Sequence, residues 1–389
     1  MIPAEPLVLR SPSGGRVEAG TPVVLAPMAG VTNAAFRTLC REQGAGLYLC
    51  EMITSRGLVC GDRRTDAMLT FFDEERIRSV QTYGTNPPVV ARAVELLCTR
   101  HGAAHVDLNL GCPVPKVTRK GGGGVLPWKT GLVREIITAA VRAGDRHGVP
   151  VTVKTRIGID EGHTTWRDIA DIAQEAGAAA ICLHARTVEE AYSGHAHWDV
   201  IAELVDRVDI PVLGNGDIWE ASDAVSMMER TGCAGVEIGR GCLGRPWLFA
   251  DLSAAMTGVE RLTLPTLGEI CRVVRRHGEL LARQMGGRSG LTDLRKHMAW
   301  YFKGFPVGGE LRHALGMIDS FERLDELLAS LIDEAGVDCP YPVRELGRPR
   351  GRQGSARRRV AMPTGWLDDR DGRDLDLSDA ELGYSGGLA

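Results

Sequence analysis

The sequence predicts an α/β fold, a (β/α)8 TIM barrel followed by a C-terminal helical bundle, and three observations carry that prediction. From residue 22 onward, short apolar runs alternate with longer segments of helical period, eight times in succession. The repeat fills residues 22–260, close to the roughly 250 residues of such barrels. The turn after the first strand reads Ala26-Pro-Met-Ala-Gly30, where an open doubly wound sheet carries Gly-x-Gly-x-x-Gly.

The strands are expected at 22–27, 46–50, 77–82, 104–110, 150–155, 179–184, 210–214 and 234–239, after an irregular N-terminal segment over 1–21. Helical patterns fall between them, clearest at 88–101, 131–147, 165–176, 197–207 and 219–231. Several strands begin just after Gly or Pro (Gly102, Pro150, Gly177, Pro211), the punctuation of an αβ loop. From 265 to 338 the pattern is helical only, at 266–286, 290–303, 308–319 and 321–335, which reads as an appended bundle. Residues 266–320 hold nine Lys/Arg against five acids, with Trp300, Tyr301 and Phe302 among them. Such a face suits RNA recognition and suits a solvated helix surface nearly as well. Residues 340–389 have few apolar side chains and segregated charge: seven Arg over 344–359, seven acids over 368–381. They are expected to be a disordered or loosely attached tail, whose blocks have the charges to pair with each other or to touch RNA.

Composition limits the function. A charged content of 25% and hydrophobic content of 44% are those of a globular chain, and no apolar run nears a membrane span. Ten cysteines without a Cys-x-x-Cys pair suit reduced thiols in a cytoplasmic protein, with no metal site and no disulfide framework. The net charge of −4 gives no support to broad nonspecific nucleic-acid binding, though it leaves a local basic face open.

The chemistry concentrates after the fourth strand, in Val106-Asp-Leu-Asn-Leu-Gly-Cys-Pro-Val-Pro-Lys. Val106, Leu108 and Leu110 share one face, and Asp107 and Asn109 the other. Gly111 stops the strand, while Pro113 and Pro115 forbid both a longer ladder and an immediate helix, so Cys112 is displayed on a stiff loop. Strand parity places Thr152, Lys154 and Arg156 inside the barrel, likewise Cys182, His184 and Arg186, and Ser79, Gln81 and Tyr83. Several strands thus set polar groups at the carboxyl end of one barrel, where barrel enzymes work. The seventh and eighth strands run into Gly214-Asn-Gly-Asp-Ile218 and Gly239-Arg-Gly-Cys-Leu-Gly-Arg-Pro246. Loops at these two places are the recurrent phosphate site of the architecture, and Arg240 adds a fixed cation.

These residues resemble the tRNA-dihydrouridine synthases, in particular the bacterial B-type. The matching segments are LAPMAGVTNAAFR (25–37), QTYGTNP (81–87), DLNLGCPVPKV (107–117), KTRIG (154–158), HARTVEEAYSGHAHWD (184–199), GNGDI (214–218), GRGCLGRPW (239–247) and RKHMAWYFKGFP (295–306). Gly124 and Ala185 depart from the family pattern. The resemblance implies FMN at the carboxyl end of the barrel, against Pro27, Met28 and Ala29, with Gln81 by the pyrimidine part of the ring. It implies Lys154 and His184 close to the flavin, and Asn215, Gly216, Asp217, Gly239 and Arg240 around its phosphate. The implied reaction is NADPH-driven reduction of the C5=C6 bond of a uridine in tRNA, with Cys112 as proton donor to C5. Asn109, Arg156, Arg186, Arg295 and Lys296 are the expected substrate contacts, and a monomer is expected. The alternative is an FMN barrel oxidoreductase acting on a free pyrimidine or other small molecule. A tRNA-binding protein with idle catalysis is a third reading, against which Cys112, Lys154 and His184 argue.

Overall fold

A computed structural model describes residues 4–351 and 359–371. A parallel sheet curls into a ring. Its strands are β3 (Val23–Leu25), β4 (Leu47–Tyr48), β5 (Ile53–Thr54), β6 (Ser79–Tyr83), β7 (His105–Leu110), β8 (Val151–Arg156), β9 (Ile181–His184), β10 (Val212–Asn215) and β11 (Gly235–Ile238). They follow an antiparallel hairpin, β1 (Val8–Arg10) and β2 (Arg16–Glu18). The hydrogen-bonded order β4-β3-β11-β10-β9-β8-β7-β6-β5 closes on itself, because β4 and β5 are two halves of one stave. That stave pairs with β3 through Leu25↔Tyr48, bridges to β6 through Leu49↔Ser79, and pairs again through Ile53↔Thr82. The second strand, expected unbroken over 46–50, is therefore split. Its backbone bends so that Leu49 N–H reaches Leu25 O while Cys50 N–H reaches Ser79 O. The ring so formed is the predicted eight-stave barrel.

The N-terminal segment is not irregular. Leu7, Leu9, Val17 and Ala19 pack under the barrel on Val24, Leu47, Leu49, Ala180, Cys182 and Leu213, closing its amino end. Two three-residue strands give too short a period to stand out in sequence. Above this apolar layer the interior turns polar. Ser79 Oγ meets His105 Nδ1 (2.6 Å), His105 Nε2 meets Thr152 Oγ1 (2.8 Å), and Thr152 donates to Asp107 Oδ1 (2.6 Å). The polar faces anticipated from parity in β6, β7 and β8 thus point inward. Ile181, Leu183, Val151 and Val153 face the surrounding helices.

The bundle comprises helices Leu267–Met285, Gly287–Tyr301, Gly309–Leu315 and Phe321–Ala335. Thr266 and Glu269 form a capping box that starts the first of them. The bundle is anchored on the barrel helix Ala34–Glu42. Phe36 stacks on His297 with ring centroids 5.8 Å apart, and Arg276 pairs with Glu42 at 2.5 Å. Close approach is built in at Gly244 (φ 66°), where a Cβ would lie 2.4 Å from the Trp300 carbonyl carbon.

The expectation of a loosely attached tail fails for its described part. Tyr341 is buried against Trp247 and Phe305, and Arg350 donates to the Tyr341 hydroxyl. Gly347 N–H donates to Glu220 Oε1 at 2.7 Å. Trp366 is 2% exposed, against the barrel flank. A few well-placed aromatic residues anchor the segment, which average composition hides. The basic and acidic blocks fall partly on residues 352–358 and 372–389, outside the described residues, and so does the expectation that they pair.

Candidate active site

At the carboxyl end of the ring lies a cavity of about 440 Å³, within the range of roughly 300–1,000 Å³ typical of ligand sites. One wall is the loop after β3, residues 26–31. Met28 N–H donates to Thr32 Oγ1 at 3.0 Å, and Thr32 O accepts from Arg37 Nη1 at 2.8 Å. Arg37 is fully buried in an ion pair with Glu75 at 2.7 Å, so this loop hangs from a fixed, paired charge.

The floor is a chain of side-chain hydrogen bonds. Gln81 Nε2 donates to Asp107 Oδ2 (2.7 Å), and Asn109 Nδ2 donates to Gln81 Oε1 (2.8 Å). Asn109 Oδ1 in turn accepts from the backbone N–H of Gly111 (3.1 Å) and of Cys112 (3.0 Å). Burial pushes Asp107 up to about 7, helped by the nearby Glu237 carboxylate and opposed by the hydrogen bonds from Thr152 and Gln81 and by Lys154. Lys154 Nζ donates to Asn215 Oδ1 (3.1 Å) and lies 3.6 Å from Glu237. Burial works against its charge, yet Cys182, Glu237 and Asp107 outweigh that and raise it, so the floor holds a permanent cation.

Cys112 lines the cavity beside Met52, Tyr83, Val114 and Val117. Burial raises its thiol above the ordinary value, against the smaller pull of the Val114 N–H and Arg156. His184 also lines the cavity. Burial, and then Arg156, Lys154, Arg186 and Arg240, hold it well below its ordinary value, so its imidazole is neutral.

The two rim arginines expected at the substrate are occupied by loops. Arg156 Nε donates to Gly111 O (2.8 Å), and its Nη1 donates to Thr187 O and Ala191 O (both 2.9 Å). It lines the cavity through what remains exposed of it. Arg186, 1% exposed, forms a two-oxygen pair with Asp217 and donates to Ser193 O and Gly194 O. It lies behind the wall and braces Asp217 (φ 55°) in its left-handed turn.

Asn215, Gly216, Asp217, Gly239 and Arg240 converge on one side of the cavity, as do Pro27, Met28, Ala29, Gln81 and Asn109 on others. Arg240 lies over Tyr192 at 4.6 Å and over Trp219 at 5.1 Å. Lys296 and Trp300 reach the same cavity from the bundle helix Gly287–Tyr301. Arg295 points elsewhere, donating to Ile318 O (2.7 Å) and Met317 O (3.2 Å) within the bundle.

Glu237, Tyr192, Met52 and Trp219 also line the cavity and are absent from the sequence expectations. Parity could have found Glu237, which alternates with Val236 and Ile238 in β11. A lone Tyr or Trp in a loop carries no periodic signal. Among the described residues no three His, Cys, Asp or Glu converge as a metal site would need, and no helix is long and apolar enough to cross a membrane. All ten cysteines are free thiols.

The family model for dihydrouridine synthase (Dus) matches residues 24–335. A probable tRNA-dihydrouridine synthase of Mycobacterium tuberculosis (strain CDC 1551 / Oshkosh) is 53% identical over 365 residues, covering 92% of each chain. The tRNA-dihydrouridine synthase B of Pseudomonas putida is 38% identical over 290 residues, 75% of this chain and 85% of its own. Among solved structures, histamine dehydrogenase from Rhizobium sp. 4-9 shares the fold alone, at TM-score 0.51 and 12% identity, over 86% of this chain and 64% of its own. With barrel staves, thiol loop and bundle all inside the matched span, the chain belongs to the dihydrouridine synthase family.

Proposed function

We propose that this chain is an FMN-dependent tRNA-dihydrouridine synthase that uses NADPH to reduce the C5=C6 bond of uridines in tRNA, working as a monomer in the cytoplasm. One observation carries the reading: a protonated thiol, a buried cation and two side chains of a helical bundle line a single cavity. A small-molecule enzyme has little use for the bundle side chains there.

The residues suit a flavin nucleotide. The loop 26–31, with Pro27, Met28 and Ala29, offers a mostly apolar wall for a planar ring, and Gln81 offers an amide at its polar edge. The turns at Asn215, Gly216 and Asp217 and at Gly239 and Arg240 supply backbone N–H groups and a guanidinium for a phosphate. The chemistry FMN supplies when bound is hydride, drawn from NADPH and passed to C6 of the uracil ring. Lys154 keeps positive charge at the floor for an anionic ring system, and His184 stays neutral beside it.

Cys112 holds a proton at Sγ for C5. Its raised pKa keeps that proton in place at neutral pH, so the thiol needs no activating partner to act as an acid. Asn109 and Arg156 fix the loop that carries it and border the space for the base, while Arg186 acts from behind through Asp217. A base buried in a folded tRNA must leave its stack to arrive here. Lys296 then meets the RNA backbone at the cavity mouth, and Arg295 shapes the bundle turn beside it.

Incubating the purified chain with FMN, NADPH and either unmodified tRNA or free uridine tests this. Dihydrouridine in the tRNA alone supports the reading, and equal reduction of free uridine would favour a small-molecule oxidoreductase. A chain that binds no FMN would end both.

A further inference from the structure

The family match stops at residue 335, yet the chain beyond it returns to the barrel. Trp366 packs with Val125 and Ile159 in a small apolar cluster separate from the main core, flanked by Trp128, Val360, Met362 and Leu367. Its indole Nε1 donates to Val125 O at 3.0 Å. Lys129, 2% exposed, donates to Asp369 O and lies 5.0 Å from the centre of the Trp366 ring. Thr130 N–H donates to Arg370 O (3.2 Å), and its hydroxyl to Asp371 Oδ1 (2.9 Å). Arg370 lies over Trp128 at 4.7 Å and pairs with Asp168. Four barrel residues within 125–130, namely Val125, Trp128, Lys129 and Thr130, are covered or bonded by this one segment.

What the segment grips is the turn Gly123–Trp128, and that turn touches Cys112 itself. Gly124 N–H donates to Cys112 O at 2.9 Å. Gly123 (φ 59°) comes so close that a Cβ would lie 2.6 Å from Cys112 O and 3.1 Å from Cys112 Cβ. Ile159, in the same cluster, accepts from Glu189 N–H at 2.9 Å and so ties in the loop that carries Tyr192. Two rim loops therefore share one apolar support, and Trp366 closes it from outside.

We infer that Trp366 is a positioning residue for Cys112: residues 359–371 form a strap that clamps the Gly123–Trp128 turn and, through the Gly124 amide, sets the thiol loop. The inference rests on the proton-donor reading of Cys112. Without the indole, the Lys129 ammonium loses its aromatic cover and Val125 loses the donor on its carbonyl, so the turn gains freedom at the residues next to Cys112.

The test compares full-length, FMN-loaded wild type with Trp366→Ala and Trp366→Phe, the latter keeping a ring without the N–H. Amide exchange at Gly124 and in Val212–Asn215 across the barrel, alkylation of Cys112 by iodoacetamide, and kcat and KM on tRNA are measured. Trp366→Ala should speed Gly124 exchange about tenfold with Val212–Asn215 unchanged, and alter the alkylation rate. It should lower kcat roughly 10- to 100-fold, as a small misplacement of a reacting group does, with KM held within about twofold. Trp366→Phe should fall between. Exchange rising equally at both places, or an unchanged Gly124 and kcat, would reduce Trp366 to general stability and overturn the inference. Should the alanine variant not fold, the phenylalanine variant decides by the same readouts. A wild type that makes no dihydrouridine would sink the proposed function, while exchange and alkylation would still decide whether the strap sets the loop.

Discussion

Asn109 Oδ1 accepts the backbone N–H of Cys112 at 3.0 Å, so the residue that ends the polar face of β7 also fixes the loop of the thiol three residues later. Asn109 is itself held through Gln81 to Asp107, which ties the position of Cys112 to the polar interior of the barrel.

Replacing that amide should therefore damage turnover more than fold. Asn109→Ala leaves two loop N–H groups without their acceptor, a cost of about 1–3 kcal/mol each if no water replaces it. Steady-state kinetics on tRNA should show kcat down roughly 10- to 100-fold with flavin retained. A variant with wild-type kcat would show that the loop holds its shape without Asn109.

The pH dependence of turnover follows from the thiol. An acid works while protonated, and burial raises Cys112 above its ordinary value. The rate limited by proton transfer should stay level through neutral pH and fall only above about 8.5, the ordinary thiol value. A single-turnover profile that falls between pH 6 and 7 would point to another group.

Stability should fall in acid because of buried histidines. Burial holds His105 and His277 down to about 3, and His184 and His297 well below the ordinary value. A base depressed in the folded state adds stability above its unfolded pKa and loses it as pH falls towards the folded value. The loss begins near pH 6.5 and amounts to roughly 1.4 kcal/mol per histidine for each pH unit below about 6. Both ring nitrogens of His297 lack partners, so His297→Leu should flatten the slope by about one histidine's share. Urea midpoints at pH 7.0 and 5.5 measure it; an equally steep slope in the variant would locate the effect elsewhere.

Arg295 and Lys296 should separate cleanly despite being neighbours. Lys296 faces the cavity beside its partner Asp293, whereas Arg295 braces the turn at Met317 and Ile318. Lys296→Ala should weaken tRNA binding and reduce the salt slope by about 1, with the melting temperature unchanged. Arg295→Ala should lower the melting temperature as well. Identical effects of the two substitutions on binding and melting would refute this division.

The barrel was legible because its signals are periodic. Alternation in VTVKTR and ICLHAR placed Lys154 and His184 inside, and the glycine turns after the last two staves marked one side of the cavity. The placement of Cys112 at the cavity was legible because Gly111 and Pro113 end the strand and leave the thiol on the loop after it. What escaped lacks a period or depends on distant partners. The hairpin of β1 and β2 is too short to alternate visibly, and Tyr192 is one aromatic residue in a polar loop. Arg186 carried the parity of an inward residue, but its partner Asp217 lies 31 positions away, and that pairing moves it behind the wall. The segment 359–371 was hidden by its charge, since Trp366 supplies most of its apolar anchor.

The most direct test of the proton-donor claim is the mass of tRNA after one turnover with the pre-reduced, FMN-loaded protein. Wild type should convert a uridine to dihydrouridine, a gain of two hydrogens. Cys112→Ala, with flavin still bound, should slow that conversion by about 10² to 10⁴, the usual contribution of a positioned acid. An alanine variant that converts uridine at the wild-type rate would contradict the account.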